Sequence, residues 1–238
     1  VLGARVKVVA ILQQRMGSKR LPGKALLPLA GKPMTENIIE RVKRAKRLDH
    51  VVLAVPPQDE NAFAWMPCRV HAPLVDENDL VARYLTVAER CHADIVVRVP
   101  CDNPCIQPEY IDEVIETYLS CDVTFSSNTT AKVNGKWVDG VGAEVFSVSR
   151  LKILDHETRN RECYRDASYR EHPHKYFNYI LPKADIRLDV NTEDDYRFIK
   201  DIYDHFGHNN FHVNDVLSYL ARKKGIYGGE NWYPRIQV

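Results

Sequence analysis

No apolar run in the 238 residues reaches the roughly 18 that a membrane span needs, and no secretory leader is read ahead of the first apolar segment. The expectation is a cytoplasmic protein without a membrane-spanning helix. Cysteine is present, at 68, 91, 101, 105, 121 and 163, but in no C-x-x-C. Cys101-x-x-x-Cys105 is the only close pair, with no second pair at zinc spacing. That excludes a zinc ribbon and a disulfide scaffold, and fits free thiols in a reducing cytoplasm. Charge of one sign is also missing. Lys and Arg number 33 against 32 Asp and Glu, a formal net charge of +1, so no whole-molecule field favours nucleic acid. The basic run from Arg41 to Arg47 is interleaved with Ile38, Ile39, Val42 and Ala45, which is the wet face of an amphipathic helix. No repeat, low-complexity tract or linker appears, so residues 1–238 read as one domain. The G-x-x-x-x-G-K-[S/T] pattern is absent, which excludes a Walker A loop.

What is present is alternation. Val6 to Leu12 reads as a buried strand, and Thr35 as the cap of a helix running to about Lys46. Strands follow at His50 to Val55 and Arg69 to Ala72, then a helix from Asn78 to Cys91 with Leu80, Val81, Tyr84, Leu85 and Ala88 on one face. Asp94 to Val99 is the next strand, and Pro108 opens a helix. Asp122 to Phe125, Ala143 to Val148 and Ile186 to Val190 read as strands, with a polar, turn-rich stretch from Ser126 to Asp139. Thr192 begins a helix, and Asn214 caps a last one ended by Gly225. Strand and helix alternating in this way predict an α/β fold with a mainly parallel sheet.

The most informative stretch follows the first strand: Gln14-Arg15-Met16-Gly17-Ser18-Lys19-Arg20-Leu21-Pro22-Gly23-Lys24. Glycines allow backbone N–H groups close to an anion, and Arg15, Arg20 and Lys24 would neutralise it. Open α/β sheets bind ligands at the carboxyl ends of their strands. The loop thus suits a polyphosphate; a merely solvated basic turn is the alternative. Asp102 is a second anchor, in a proline-bounded turn after Ile95-Val96-Val97-Arg98-Val99. A carboxylate there could hold Mg²⁺, which prefers one or two carboxylates with phosphate oxygens and water. Asp-Asn-Pro also favours a turn with no metal at all. A third anchor is Arg187-Leu188-Asp189-Val190-Asn191-Thr192-Glu193-Asp194-Asp195, where Thr192 and the acids after it also read as a helix cap.

The run from Ala10 to Met34 resembles the R-x-G-S-x-R-L-P-G-K…G-K-P signature of the cytidylyltransferases, matching at Arg15, Gly17, Ser18, Arg20, Leu21, Pro22, Gly23, Lys24, Gly31, Lys32 and Pro33. That family includes the 3-deoxy-manno-octulosonate and acylneuraminate enzymes, and the resemblance is nearest to its spore-coat polysaccharide branch. Arg98 to Ile106 resembles the family's R-x-x-x-D-x-P-x-I element, which implies that Asp102 binds metal. The 187–196 segment is similar to a V-D-T-P-E-D-L element whose metal-binding Asp corresponds here to Asn191. Asn brings no charge, and Asp189, two residues earlier on a strand, would share its face and supply the missing carboxylate. Asp139 to Phe146 resembles D-G-x-D-x-E-V-F, an acceptor-lining element, with Gly142 in place of an acid. Asp139 and Glu144 would then face the acceptor. Arg170-Glu171-His172 resembles the R-E-H of the spore-coat branch, and Arg170 and His172 would hold an anionic acceptor unless they are surface charge. Asp79 to Tyr84 resembles the D-[V/L]-L-x-R-Y element beside the nucleotide, in which Arg83 is structural or functional. The resemblance runs from residue 6 to about 200.

Together these imply a three-layer α/β/α sandwich with a Rossmann-like mixed sheet, of the nucleotide-diphospho-sugar transferase type. The implied reaction is transfer of CMP from CTP to a small anionic acceptor, a sugar acid or phosphorylated molecule, with release of pyrophosphate, for surface polysaccharide biosynthesis. Arg15, Lys24 and Asp102 would be catalytic, with Gly17, Ser18, Arg20, Asp79 and Arg83 around the nucleotide. Mg²⁺ is the expected cofactor, held by Asp102 with Asp189 or Asn191, and a homodimer the expected assembly. No general base stands out. The rival of the same fold is a nucleotide-sugar-dependent glycosyltransferase, disfavoured because Asp185-x-x-x-Asp189 is not a D-x-D motif. The rival of another class is a non-catalytic nucleotide-binding domain.

Overall fold

A computed structural model describes residues 5–121, 123, 125–129, 132–133, 136–157, 169–171, 185–227 and 236–237. In chain order its strands are β1 Val8–Gln13, β2 Pro28–Leu29, β3 Lys32–Pro33, β4 His50–Ala54, β5 Arg69–His71, β6 Ile95–Pro100, β7 Phe125–Ser127, β8 Lys132–Val133, β9 Lys136–Asp139, β10 Glu144–Ser147, β11 Tyr169–Glu171, β12 Asp185–Arg187 and β13 Ile236–Gln237. The helices are α1 Met34–Val42, α2 Glu60–Phe63, α3 Leu80–Arg90, α4 Pro108–Ser120, α5 Val148–Glu157, α6 Glu193–Phe206 and α7 Val213–Tyr227.

A seven-stranded sheet has the order β11-β7-β10-β6-β1-β4-β5. β1 pairs in parallel with β4 and β6, and β4 with β5, whereas β10 is antiparallel to both β6 and β7. The sheet is therefore mixed. The chain moves from β1 outward through β4 to β5, then returns to the other side of β1 for β6. That reversal opens a crevice beyond the carboxyl ends of β1 and β6, the usual ligand site of such sheets.

The central strands are apolar on both faces because both faces are covered. Val8, Ala10 and Leu12 of β1, with Val97 and Val99 of β6, pack under α1, α4, α6 and α7 through residues such as Ile38, Val114, Ile199 and Val216. Val9 and Ile11, with Val96 and Val52, pack on the opposite face against Val81 and Val87 of α3 and Leu151 and Leu154 of α5. Period-two alternation thus divides one strand between two cores, and the three-layer α/β/α expectation holds.

Several boundaries move. Thr35 does not cap α1. Its buried hydroxyl accepts from Gln14 and donates to the Ala25 carbonyl, and Pro33 stands at the cap. Gly225 lies inside α7, where a glycine weakens a helix without ending it. The strand expected over Ile186 to Val190 stops at Arg187. Part of the stretch read as turns forms β7, β8 and β9, and α5 was not anticipated. Thr192 caps α6 as expected, in a reciprocal capping box with Asp195. Cys68, Cys91, Cys101, Cys105 and Cys121 are free thiols, and Cys163 lies outside the described residues.

Candidate active site

At the end of β1 the apolar run stops at a buried amide. The Gln14 side chain donates to Thr35 Oγ1 at 3.0 Å and to the Cys101 carbonyl at 3.1 Å, and its own oxygen receives the Arg15 N–H at 3.0 Å. One residue so fixes the loop after β1 to the loop after β6. The chain then turns through Gly23, whose φ of 69° lies in the left-handed region that glycine occupies without strain, into a 3-10 turn at Lys24–Leu26. Ser18 Oγ accepts the Leu21 N–H at 3.3 Å and holds the loop in its curve.

The curve carries its cations into a cleft of about 740 Å³. Lys24 Nζ donates to the Val190 carbonyl at 2.8 Å and lies 3.3 Å from Asp102 Oδ2. Arg20 Nη2 donates to Asn191 Oδ1 at 2.7 Å. Arg15 Nη1 meets Glu77 Oε1 at 2.6 Å at the exposed mouth. The backbone joins the same parts, for Val190 N–H donates to the Asp102 carbonyl at 2.7 Å. Three stretches remote in sequence, the 14–24 loop, the turn at Asp102 and the 188–191 segment, therefore meet around one amine.

The wall opposite is α3 and its approach. Asp79 caps the helix, its carboxylate accepting from Ala82 N–H at 2.9 Å. Arg83 is buried, and its Nη2 donates to the Glu77 carbonyl at 2.7 Å and the Asp76 carbonyl at 3.3 Å. Its Nε is buried without a hydrogen-bond partner among the described residues. Burial lowers the pKa of this guanidinium, so the cleft holds a cation that has lost solvation and gains from an incoming anion or carbonyl. Arg98 lines the floor, and its Nη1 donates to the buried Glu144 Oε2 at 2.6 Å. Burial pushes the Tyr84 hydroxyl beside Arg98 up to about 12, so it stays protonated.

A family model described as Cytidylyltransferase matches residues 9–216. The chain belongs to the cytidylyltransferase family. As such it is a nucleotidyltransferase. A solved cytidylyltransferase from Leptospira borgpetersenii superposes with a TM-score of 0.79 at 26% identity, covering 96% of this chain and all of that one. The spore coat polysaccharide biosynthesis protein SpsF of Bacillus subtilis is 26% identical over 84% of this chain and 88% of its own. A 3-deoxy-manno-octulosonate cytidylyltransferase of Geobacter sulfurreducens is 38% identical over 46% of this chain and 44% of that one.

Within this cytidylyltransferase, the residues singled out in the sequence divide into groups. Arg15, Ser18, Arg20, Lys24, Arg83, Asp102 and Asn191 line the cleft. Asp189 does not: the residue is buried, and its carboxylate accepts from Arg187 at 2.7 and 3.2 Å and from the Asn191 amide. The 188–190 segment is not a strand, so the alternation that put Asp189 and Asn191 on one face does not apply. Asp139 also faces Arg187, its Oδ2 4.0 Å from the Arg187 Nε. Burial, with the negative charge of Asp189 and then Asp102, raises its pKa, opposed by the Gly140 N–H it accepts at 2.8 Å and by Arg187. Arg170 lies on β11, paired in parallel with Ser126 of β7, and His172 is outside the described residues. Gly142, where the family pattern has an acid, has no room for one: a Cβ there would stand 2.4 Å from the Asn128 carbonyl oxygen.

Gln14, Glu77, Tyr84 and Arg98 were not singled out as site residues. Arg98 had a signal, a charge inside an otherwise apolar strand, as did Gln14, a polar side chain ending the β1 run. Glu77 had none, because its role depends on where the loop before α3 folds.

The donor set fits a Mg²⁺ ion of the kind that leans on substrate oxygens. Among the described residues no group of three His, Cys, Asp or Glu could hold a metal by itself. Asp102 is one partly exposed carboxylate at the cleft, beside the cations that suit a triphosphate. One carboxylate with phosphate oxygens and water is an arrangement Mg²⁺ accepts.

Proposed function

We propose that this cytidylyltransferase transfers CMP from CTP to a small anionic acceptor, a sugar acid or phosphorylated molecule, in the cytoplasmic synthesis of a surface polysaccharide. The observation that carries this reading is the convergence of Arg15, Arg20, Lys24 and Asp102 on one cleft at the switch point of the sheet. The likeness to SpsF supports the polysaccharide setting, and that to the 3-deoxy-manno-octulosonate enzyme an acidic acceptor.

In this reading Arg15 and Lys24 bind the triphosphate, with Ser18, Arg20 and the Gly17 backbone beside it. An acceptor oxygen attacks the α-phosphorus in line. The new O–P bond forms as the bond to the β-phosphate oxygen breaks, and pyrophosphate leaves with that electron pair. The chain's work is to position the groups and neutralise charge. Asp102 would hold Mg²⁺, which supplies positive charge to the phosphate oxygens when bound, with Asn191 and Asp189 as its nearby candidates for further ligation. Asp79 positions Arg83 by capping its helix, and Arg83 offers its free Nε–H to the nucleotide. Asp139, Glu144, Arg170 and His172 belong to the acceptor's side. Glu144 acts there through Arg98, which it holds. A phosphate acceptor needs no base, whereas a hydroxyl acceptor must lose its proton as the bond forms.

A pyrophosphate-release screen of CTP and UTP against sugar acids, phosphorylated molecules and neutral sugars tests the reading. CTP-dependent release with an anionic acceptor is expected. Release with neutral sugars alone, or with UTP in preference to CTP, refutes it.

A further inference from the structure

The edge of the sheet opposite the cleft has a second cavity, of about 620 Å³. It opens where the strands begin and the flanking helices end. Lys7 precedes β1, Arg69 begins β5, and Lys43 and Arg90 lie at the ends of α1 and α3. Its lining brings four lysine and arginine side chains against one carboxylate, Asp49, a net +3 in a chain whose whole formal charge is +1. The molecule outside the groove is therefore net negative, and the groove is, beside the substrate cleft, a second place where positive charge gathers.

Part of that charge has a structural purpose. Lys43 and Arg90 face the negative ends of α1 and α3. Lys43 Nζ also donates to the Pro67 carbonyl at 2.6 Å. Lys7, just ahead of β1, and Arg69, on β5, lie at no helix end and have no such role. The carboxylates nearby are already engaged: Asp49 accepts from Arg5 and from Val8 N–H, and Asp94 from Lys7 N–H. Among the described residues Lys7, Arg69 and Arg90 make no ion pair and no side-chain hydrogen bond. Their charges share one volume, since Cys91 on the groove lining feels both Arg69 and Lys7, and His71, 3.6 Å from the Cys91 thiol, feels both Arg69 and Arg90. Like charges gathered without counter-charge repel one another, and a bound anion relieves that repulsion. Two guanidiniums suit phosphate oxygens in particular, whose geometry their planar donor forks match.

We propose that this groove binds a small phosphorylated molecule carrying at least two negative charges, at a site separate from the substrate cleft. Arg69 and Lys7 hold one phosphoryl group and Arg90 closes over it, while Leu48 and Val52 in the lining receive the less polar part of the ligand.

Inorganic tripolyphosphate is the probe, and alkylation of Cys91 by N-ethylmaleimide, mapped by mass spectrometry, is the readout because it reports on this groove and not on the cleft. Tripolyphosphate is expected to slow Cys91 alkylation with a half-effect below about 1 mM. The Arg69→Ser/Arg90→Ser variant should need at least about tenfold more, and Lys24→Ala should respond like wild type. Both arginines are exposed, so the fold survives the change. Calorimetry of tripolyphosphate binding gives a second measurement, in which the double variant loses one binding equivalent. No protection at about 1 mM in wild type, or equal protection and stoichiometry in the double variant, overturns the proposal.

Discussion

Arg98 and Glu144 stand directly opposite one another on the antiparallel β6–β10 pair, their side chains joined at 2.6 Å, with Glu144 wholly buried and Arg98 reaching the cleft. The pair explains how an arginine can sit mid-strand in a sheet core. Breaking a buried pair from one side strands the other charge. Glu144→Ala should therefore destabilise the protein by roughly 3 kcal/mol, the low end for a buried pair because Arg98 keeps some solvent. Urea denaturation with an unchanged m-value checks this. The double replacement Arg98→Met/Glu144→Leu should recover most of the loss, and a double variant no more stable than Glu144→Ala would count against the pairing account.

Lys24 should matter more than Arg15. Lys24 is largely buried and meets a carboxylate and a carbonyl, whereas Arg15 is half exposed and screened. Lys24→Ala should weaken CTP binding at least about tenfold, and Arg15→Ala only a few-fold. Isothermal calorimetry in the presence of Mg²⁺ gives both numbers, and equal losses would contradict the ranking.

Glu77 occupies Arg15 where the triphosphate would bind it. Glu77→Gln removes a competing negative charge and should tighten CTP about two- to fivefold, less than one charge-assisted bond. An unchanged or weaker affinity would show that Glu77 orients Arg15 for the nucleotide instead.

Asp102 and Asp189 should respond differently. Asp102→Asn should remove most activity, with partial recovery at high Mg²⁺ or with Mn²⁺. Asp189→Asn should cost stability as well, because Arg187 and Asn191 lose their shared acceptor. Thermal melts beside turnover assays separate the two. Full activity in Asp102→Asn would remove it from the metal's coordination.

Asp139 gives a pH signature. Its folded pKa is raised by burial and by neighbouring carboxylates. The folded state thus binds its proton more tightly than the unfolded state, which favours folding below the unfolded pKa of about 3.9. That advantage disappears as pH rises through the folded pKa, where the charged form becomes a penalty. Asp139→Asn keeps an acceptor for Gly140 N–H and should melt higher than wild type near neutral pH without Mg²⁺, with the difference closing in acid. A difference that grows on acidification would reverse the argument.

The anion loop was legible because its chemistry is local: glycines and cations within eleven residues, set after one apolar run. The core was legible for a similar reason, since alternation along β1 and β6 assigns each residue a face. The face assigned to Asp189 was not legible because a strand was expected where the backbone has already left the sheet after Arg187. Glu77, and the pairing of Glu144 with Arg98, rest on contacts across 46 or more positions, which no spacing rule encodes. Asn128 is similar. It donates to the Tyr110 carbonyl and accepts from Ala143 N–H, and only that placement explains why position 142 has no side chain.

The Gln14 amide has a mechanical meaning. By holding Thr35 and the Cys101 carbonyl at once, it fastens the anion loop to the strand end that carries Asp102. These two sides of the cleft form one jaw, joined again where Lys24 meets Asp102 and the Val190 carbonyl. The looser tie is to the other jaw, the approach to α3, which reaches across to Arg15 through an exposed salt bridge worth about 1 kcal/mol or less. A molecule that wedges between Arg15 and Glu77 would therefore hold the cleft open while leaving Lys24 and Asp102 untouched, and would take Arg15 from the triphosphate.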